Sequence, residues 1–405
     1  MGLVKSAMLE AEERGYDIDS DVRVCTYCFE DGALKDFISQ NSTEGACSFC
    51  EYFTETASCE LFDVLGVILP GIGTEWGDPA NEGLPYETRE GGWQGDVYNT
   101  LEMLEEVGLD TSSYELFQTI VQAIHNGEWC RRNPYSLERH QTLLVGWRSF
   151  SQFVMNEARY VFLQATPANY DPYQHDEIQP VAILEHLGTM ANELELISIL
   201  RKGEEILRIR IADPETALST ASELGTPPIQ YATIPNRMSP AGIPMFYGAF
   251  NPETAIAETY DPLRQTKKKG VIGKFRAERE LILLDLTRHI ELPSLFDLNA
   301  VQSRYLVKFI KGFVEDFSKP VSRDDRSHVE YVPTQVVTEY FRHIFRTPLG
   351  QKLDGIIYPS SKKKGDQAVV LFVSNSQCVD ISDNLSDEAL LTLISVEEVQ
   401  LETPN

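Results

Sequence analysis

No run of about 18 apolar residues occurs anywhere in the chain, so nothing in it predicts a membrane span. The stretch "MGLVKSAMLEAEERGY" turns acidic before any apolar segment develops, which argues against a secretory signal and predicts a soluble, cytoplasmic protein. Met1-Gly2 with Ser6 fits the short myristoylation pattern, a match that chance readily produces. Internal repeats are absent. Positive charge is scarce, but in one half only. Residues 1–200 hold 10 Lys and Arg against 34 Asp and Glu, a net of −24, whereas residues 201–405 hold 25 against 28. So acidic a first half repels phosphate backbones and argues against nucleic acid as its partner. A phosphate-bearing ligand belongs in the second half.

What is present begins with cysteine. Four of the seven Cys form "CTYC" and "CSFC", Cys25, Cys28, Cys47 and Cys50, with 18 residues between the pairs. Two Cys-x-x-Cys knuckles at this spacing match a zinc ribbon, because each knuckle offers two thiolates to one tetrahedral ion. A redox motif of the thioredoxin kind uses a single pair. The expectation is a structural Zn2+ in a ribbon within residues 1–58. Cys59, Cys130 and Cys378 read as small buried residues.

With 405 residues, 42% of them hydrophobic, the chain can fill two or three cores. Residues 59–200 read as a helical domain. "VYNTLEMLEEVGL" and "TSSYELFQTIVQAI" carry apolar residues at helical spacing, with Thr111, Ser112 or Ser113 placed to cap the second. "SLERHQTLLVGWRSFSQFVMNEARYVFL" predicts a long helix from near Ser136, and "PVAILEHLGTMANELELISIL" another, with "ATPANYDPYQHDEIQP" as a loop between them. The pattern changes near residue 200. "EEILRIRIA", "LILLDLT", "GIIYPS" and "QAVVLFV" read as strands and "DPETALSTASEL" as a short helix. Strands scattered among helices without regular alternation predict an α+β domain over 201–405 and not a doubly wound sheet.

One segment concentrates chemistry. "NRMSPAGIPMFYGAFNPETAIAETY" sets Arg237, Tyr247 ten positions on, and Glu258 eleven beyond that. The first part has too many Pro and Gly for a helix, whereas Asn251, Pro252 and Glu253 are a helix start, which places Glu258 one to two turns in. Further on, "GIIYPSSKKKGDQAVVLF" puts Ser360 at the end of a strand. Taken singly, an Arg, Tyr or Glu is most often a surface ion pair or a half-buried ring. Lys362 to Lys364 and the "KKKG" from Lys267 read as solvated loops, and Arg304 and Arg342 as structural. His328 and Tyr331 either support a site or anchor a helix.

The joint spacing resembles the RES domain, the Arg-Glu-Ser family of bacterial NAD-degrading toxins, which is similar in fold to ADP-ribosyltransferases of the diphtheria-toxin kind. Arg237, "FYGAF" with Tyr247, "TAIAE" with Glu258 and "GIIYPS" with Ser360, Ser361 in reserve, carry the resemblance, and "HVEYVPTQVVTEYFR" is similar to the helix these domains place between the Glu and the Ser. The ribbon and helical region resemble the HEPN-like N-terminal domain that accompanies some RES domains. HEPN ribonucleases need an Arg with a His about four to six residues on. Arg131 and His140 are too far apart, and "RDDRSH" from Arg323 has the spacing but lies inside the RES-like region, so the helical domain reads as non-catalytic.

The resemblance implies that NAD is the substrate, cleaved at the nicotinamide–ribose bond by phosphate or water. Glu258 then faces the ribose, Arg237 offers a fork to the pyrophosphate, Tyr247 stacks on nicotinamide, and Ser360 or Ser361 bonds ribose or phosphate. An ADP-ribosyltransferase acting on a protein or small molecule would use the same residues. A non-enzymatic sensor built on a relic fold is the remaining alternative, against which the intact Arg, Tyr, Glu and Ser positions count. The biological expectation is a toxin of a toxin–antitoxin pair or an anti-phage defence effector, with an antitoxin or regulatory protein as partner and a homo-oligomer as an open assembly state.

Overall fold

The computed structural model describes residues 9–50, 57–163, 178, 179, 181–262, 265, 268–319, 327–381 and 388–401. The myristoylation pattern, the loop from Ala165 except Ile178 and Gln179, Lys267 of "KKKG" and residues 323–326 of "RDDRSH" lie outside the described residues. Contacts divide the chain into two compact units, residues 1–139 with 291–307, and residues 140–290 with 308–405.

The first unit is mainly helical. Its helices are α1 (Gly32–Asn41), α2 (Leu61–Ile72), α3 (Thr100–Glu106) and α4 (Tyr114–Ala123). Each start is chemically marked. Asp31 accepts from Leu34 N at 3.1 Å, Asn99 and Glu102 form a reciprocal capping box, and Ser113 accepts from Leu116 N at 3.2 Å. Their apolar faces meet in one core containing Ile38, Leu65, Met103 and Ile120, and Leu295, Phe296 and Val301 from the returning segment complete it. A Cβ on Gly71 would fall 2.5 Å from Leu295 O, so glycine is what lets α2 approach that segment. Arg304 and Arg131 both pair with Glu75, at 3.0 and 3.1 Å.

The second unit is built on a nine-stranded mixed sheet. In chain order its strands are β1 (Ile197–Leu200), β2 (Glu205–Ala212), β3 (Phe246–Ala249), β4 (Lys269–Ala277), β5 (Leu281–Asp285), β6 (Gly355–Pro359), β7 (Gln367–Leu371), β8 (Cys378–Asp380) and β9 (Leu391–Gln400). Their spatial order is β8-β9-β4-β2-β3-β7-β6-β5-β1. β5 with β6 and β8 with β9 run parallel, and the other neighbours antiparallel. This is the α+β arrangement that the scattered strands imply.

Helices α5 (Arg139–Asn156), α6 (Ala182–Glu193), α7 (Ala221–Leu224), α8 (Pro252–Thr259), α9 (Arg304–Ser318), α10 (Ser327–Glu330) and α11 (Val332–Glu339) complete the list of those used below. Three depart from the sequence reading. α6 ends at Glu193, Glu195 turns left-handed with φ 50, and "ISIL" becomes β1, because its β-branched residues pair with 281–284 of β5. α7 is confined to four residues, where Thr220 and Glu223 supply the capping box. "HVEYVPTQVVTEYFR" breaks into α10, α11 and a π-helical turn at Tyr340–Ile344, with Pro333 opening α11.

Gly248 shows why "FYGAF" has its glycine. A Cβ there would lie 2.6 Å from Ile206 Cγ2 and 2.9 Å from Leu207 O, inside the contact of β3 with β2. Gly248→Ala is expected to destabilise the second unit by about 1–3 kcal/mol through overpacking. Urea denaturation checks this, and an unchanged midpoint would show that β2 and β3 separate freely.

Candidate active site

α8 carries Glu258 because its first turn is specified locally. Asn251 accepts from Thr254 N at 2.8 Å, worth about 1 kcal/mol as an N-cap, and Pro252 fixes the first helical position. β6 delivers Ser360 immediately after Pro359. The two meet: Ser360 Oγ donates to Glu258 Oε1 at 2.5 Å, and the same oxygen accepts from Lys363 N at 3.0 Å and Lys362 N at 3.3 Å. Ser360 is buried, Glu258 half-buried, and Ser361 half-buried in the turn that follows.

That turn is tied back to α8 by Asp366. Its carboxylate accepts from Thr254 Oγ1 at 2.5 Å and from Asn251 Nδ2 at 3.4 Å, and it pairs with Lys363 Nζ at 3.0 Å. Ser360 N closes the loop onto Asp366 O at 2.9 Å. The Thr254 hydroxyl and then Lys363 hold the Asp366 carboxyl below the usual range. Lys363 is therefore engaged, and Lys362 and Lys364 are exposed as a solvated loop would have them.

Arg237 stands in a tight turn closed by Asn236 N to Ser239 O at 2.8 Å and Ser239 N to Asn236 O at 3.3 Å. Its Nη1 donates to Phe317 O near the end of α9 at 2.8 Å. The Tyr247 hydroxyl lies 2.9 Å from Ser239 Oγ and accepts from Met238 N at 3.3 Å, so the ring on β3 is latched to the turn that bears Arg237. Burial pushes the Tyr247 phenol up to about 12, opposed by the bonds from Ser239 and Met238. Tyr331 is close enough to contribute to that field, whereas His328 is exposed.

Two residues absent from the sequence reading enter here. Tyr358, buried on β6, is raised well above the usual phenol range, first by burial and then by Glu258, and it also feels Tyr247 and Arg237. One buried ring thus lies within electrostatic reach of all three. Arg208 on β2 donates through Nη1 to Tyr247 O at 2.7 Å and through Nε to Gly225 O at 3.1 Å. Burial, and next the like charge of Arg210, lowers it to about 10. With Tyr247, Asn236, Ser239, Tyr231 and Pro244, Arg208 lines a cavity of about 160 Å³. The signal for Arg208 was present in "LRIRIA", where cations alternate with apolar residues along a strand. No local pattern marks Tyr358.

The four ribbon thiols form a separate cluster, all Sγ atoms within 4.8 Å of one another. Four of the Sγ–Sγ separations run from 3.4 Å for Cys28–Cys47 to 3.8 Å for Cys25–Cys28. Tetrahedral thiolates about 2.3 Å from an ion stand about 3.8 Å apart, so the residues fit a metal. Arg23 braces the cluster, donating through Nε to Ser58 Oγ at 2.7 Å and through Nη2 to Thr43 Oγ1 at 2.5 Å.

Residues 208–392 match the family model of the RES domain, and residues 40–168 match that of HEPN/RES N-terminal domain 1. The first match opens on Arg208 and contains Arg237, Tyr247, Glu258, Tyr358 and Ser360. No curated protein and no solved structure matches the chain.

The Asp366 anchor has a pH signature. A carboxyl lowered in the folded state contributes stability that is present above its unfolded value, about 3.9, and lost as pH falls through the lower folded value. Amide exchange at Ser360 is expected to quicken through that acid range in the native chain and to lose this pH dependence in Asp366→Asn. The same acid dependence in both proteins would remove Asp366 from the anchor.

Proposed function

This chain belongs to the RES-domain family, and from that premise we propose that it consumes NAD, breaking the nicotinamide–ribose bond and passing the ADP-ribosyl group to inorganic phosphate or water. The observation that carries the reading is the Ser360–Glu258 hydrogen bond, which ties the carboxylate of α8 to the end of β6 beside Tyr358, a ring that also feels Tyr247 and Arg237. Nicotinamide leaves a pyridinium as a neutral base, so its departure needs no proton. What develops is positive charge on the ribose, and a carboxylate held nearby stabilises it. The bond pair of C–N leaves with nicotinamide, and an oxygen of phosphate or water supplies the new pair at the anomeric carbon.

Glu258 is the charged group in this scheme, and Ser360 orients it by donating its hydroxyl hydrogen bond to Oε1. Arg237 offers its remaining guanidinium donors to the pyrophosphate, and Tyr247 presents a ring face to nicotinamide. The four ribbon thiolates hold a structural Zn2+ closed by protein ligands, which leaves no open coordination position for chemistry at the metal. Loss of NAD suits growth arrest, by a toxin under an antitoxin or by a defence effector. The acidic half of the sequence, residues 1–200, suits docking of a basic protein or another copy of the chain.

Incubation of the purified protein with NAD, with and without phosphate, and mass identification of the products tests the reaction. Glu258→Gln is expected to keep the fold and to slow NAD loss by about 10²–10³-fold, the usual cost of a removed electrostatic stabiliser. Turnover near the native rate would refute the role given to Glu258. Protein prepared without chelator is expected to carry about one zinc per chain, and chelation to destabilise the N-terminal region. Zinc far below that ratio would count against the ribbon.

A further inference from the structure

The turn that bears Arg237 is held from outside by two residues of α11, and nothing in the chemistry above uses them. Gln335 Nε2 lies 2.8 Å from Asn236 O and 3.3 Å from Ser239 O. These are the carbonyls whose own turn bonds close the Asn236–Ser239 bridge, so each accepts twice. Both partners are acceptors, which requires the amide nitrogen of Gln335 and gives one hydrogen to each. The Thr334 hydroxyl lies against Arg237 O and 2.9 Å from Tyr331 O. Gln335 is 7% and Thr334 8% exposed, so water does not readily replace either bond. Inside the same turn Ser239 and Met238 hold the Tyr247 hydroxyl.

We infer that Gln335 is a positioning residue for the site: by bridging Asn236 O and Ser239 O it fixes the turn from which Arg237 and the Tyr247 latch are both directed at the substrate. The kinetic consequence rests on the NAD-consuming reading. The structural consequence does not. A ligand-binding Arg on a loose turn loses orientation before it loses charge, so the expected change is in substrate affinity.

Gln335→Met keeps the length and apolar packing of the side chain and removes both donors. It is expected to raise KM for NAD about tenfold with kcat changed less than about threefold, and to add less than about twofold in an Arg237→Ala background, because both act on one contact. Gln335→Glu places an acceptor against two carbonyls. Its deficit relative to the native protein is expected to shrink as pH falls, since a protonated carboxyl regains one donor. Hydrogen exchange across residues 236–247 is expected to quicken in both variants at neutral pH. Unchanged KM, full additivity with Arg237→Ala, or unchanged exchange would overturn the inference. If the native protein leaves NAD intact, the functional reading fails and exchange alone decides the role of Gln335, including where Gln335→Met does not fold and Gln335→Glu does.

Discussion

In the proposed reaction Glu258 is the charged group, and the hydrogen bond from Ser360 orients it without bringing a charge of its own. A Lys or Arg in the same place would hold Glu258 more firmly and cancel part of its charge. A hydroxyl supplies one donor and no net charge. The rest of the local structure serves to keep that hydroxyl pointed: two backbone amides saturate its oxygen, and Asp366 joins its loop to the cap of the helix that carries Glu258. The interactions therefore close a ring from Asn251 through α8, Glu258, Ser360 and Asp366 back to Asn251.

Around that ring the sheet sets distances. β3 presents Tyr247 in register with Val370 of β7, and β6 pairs with the other side of β7, so Tyr247 and Tyr358 come from strands separated by a single neighbour. Arg208 reaches the same place from β2 and spends two of its five donors on backbone carbonyls, and among the described residues no carboxylate pairs with it. Arg237 is held by its turn and by the carbonyl of Phe317.

Much of this was legible in the sequence where the determinants are local. Asn251-Pro252-Glu253 marked the start of α8, Ser113, one of three residues offered as a cap, lies at the start of α4, and paired Cys-x-x-Cys knuckles announced a four-thiol cluster that the structure assembles. The strand character of "EEILRIRIA" and "QAVVLFV" followed from alternation and β-branching. What stayed hidden depends on distant pairing. "ISIL" looked like the tail of a helix until a partner strand more than eighty residues away claimed it. Leu295, Phe296 and Val301 join the core of the first unit from far along the chain, and no local pattern carries such a return. Tyr358 and Gln335 read as ordinary strand and helix residues because their roles are set by what crosses beside them.

The most direct test of the account is the kinetics of Ser360→Ala in native and Glu258→Gln backgrounds. If the serine acts by orienting Glu258, kcat for NAD cleavage falls about tenfold or more, KM stays nearly constant, and the substitution adds little once Glu258 is already Gln. A rise in KM with kcat unchanged, additive to Glu258→Gln, would contradict the account and make Ser360 a ligand of the substrate in its own right.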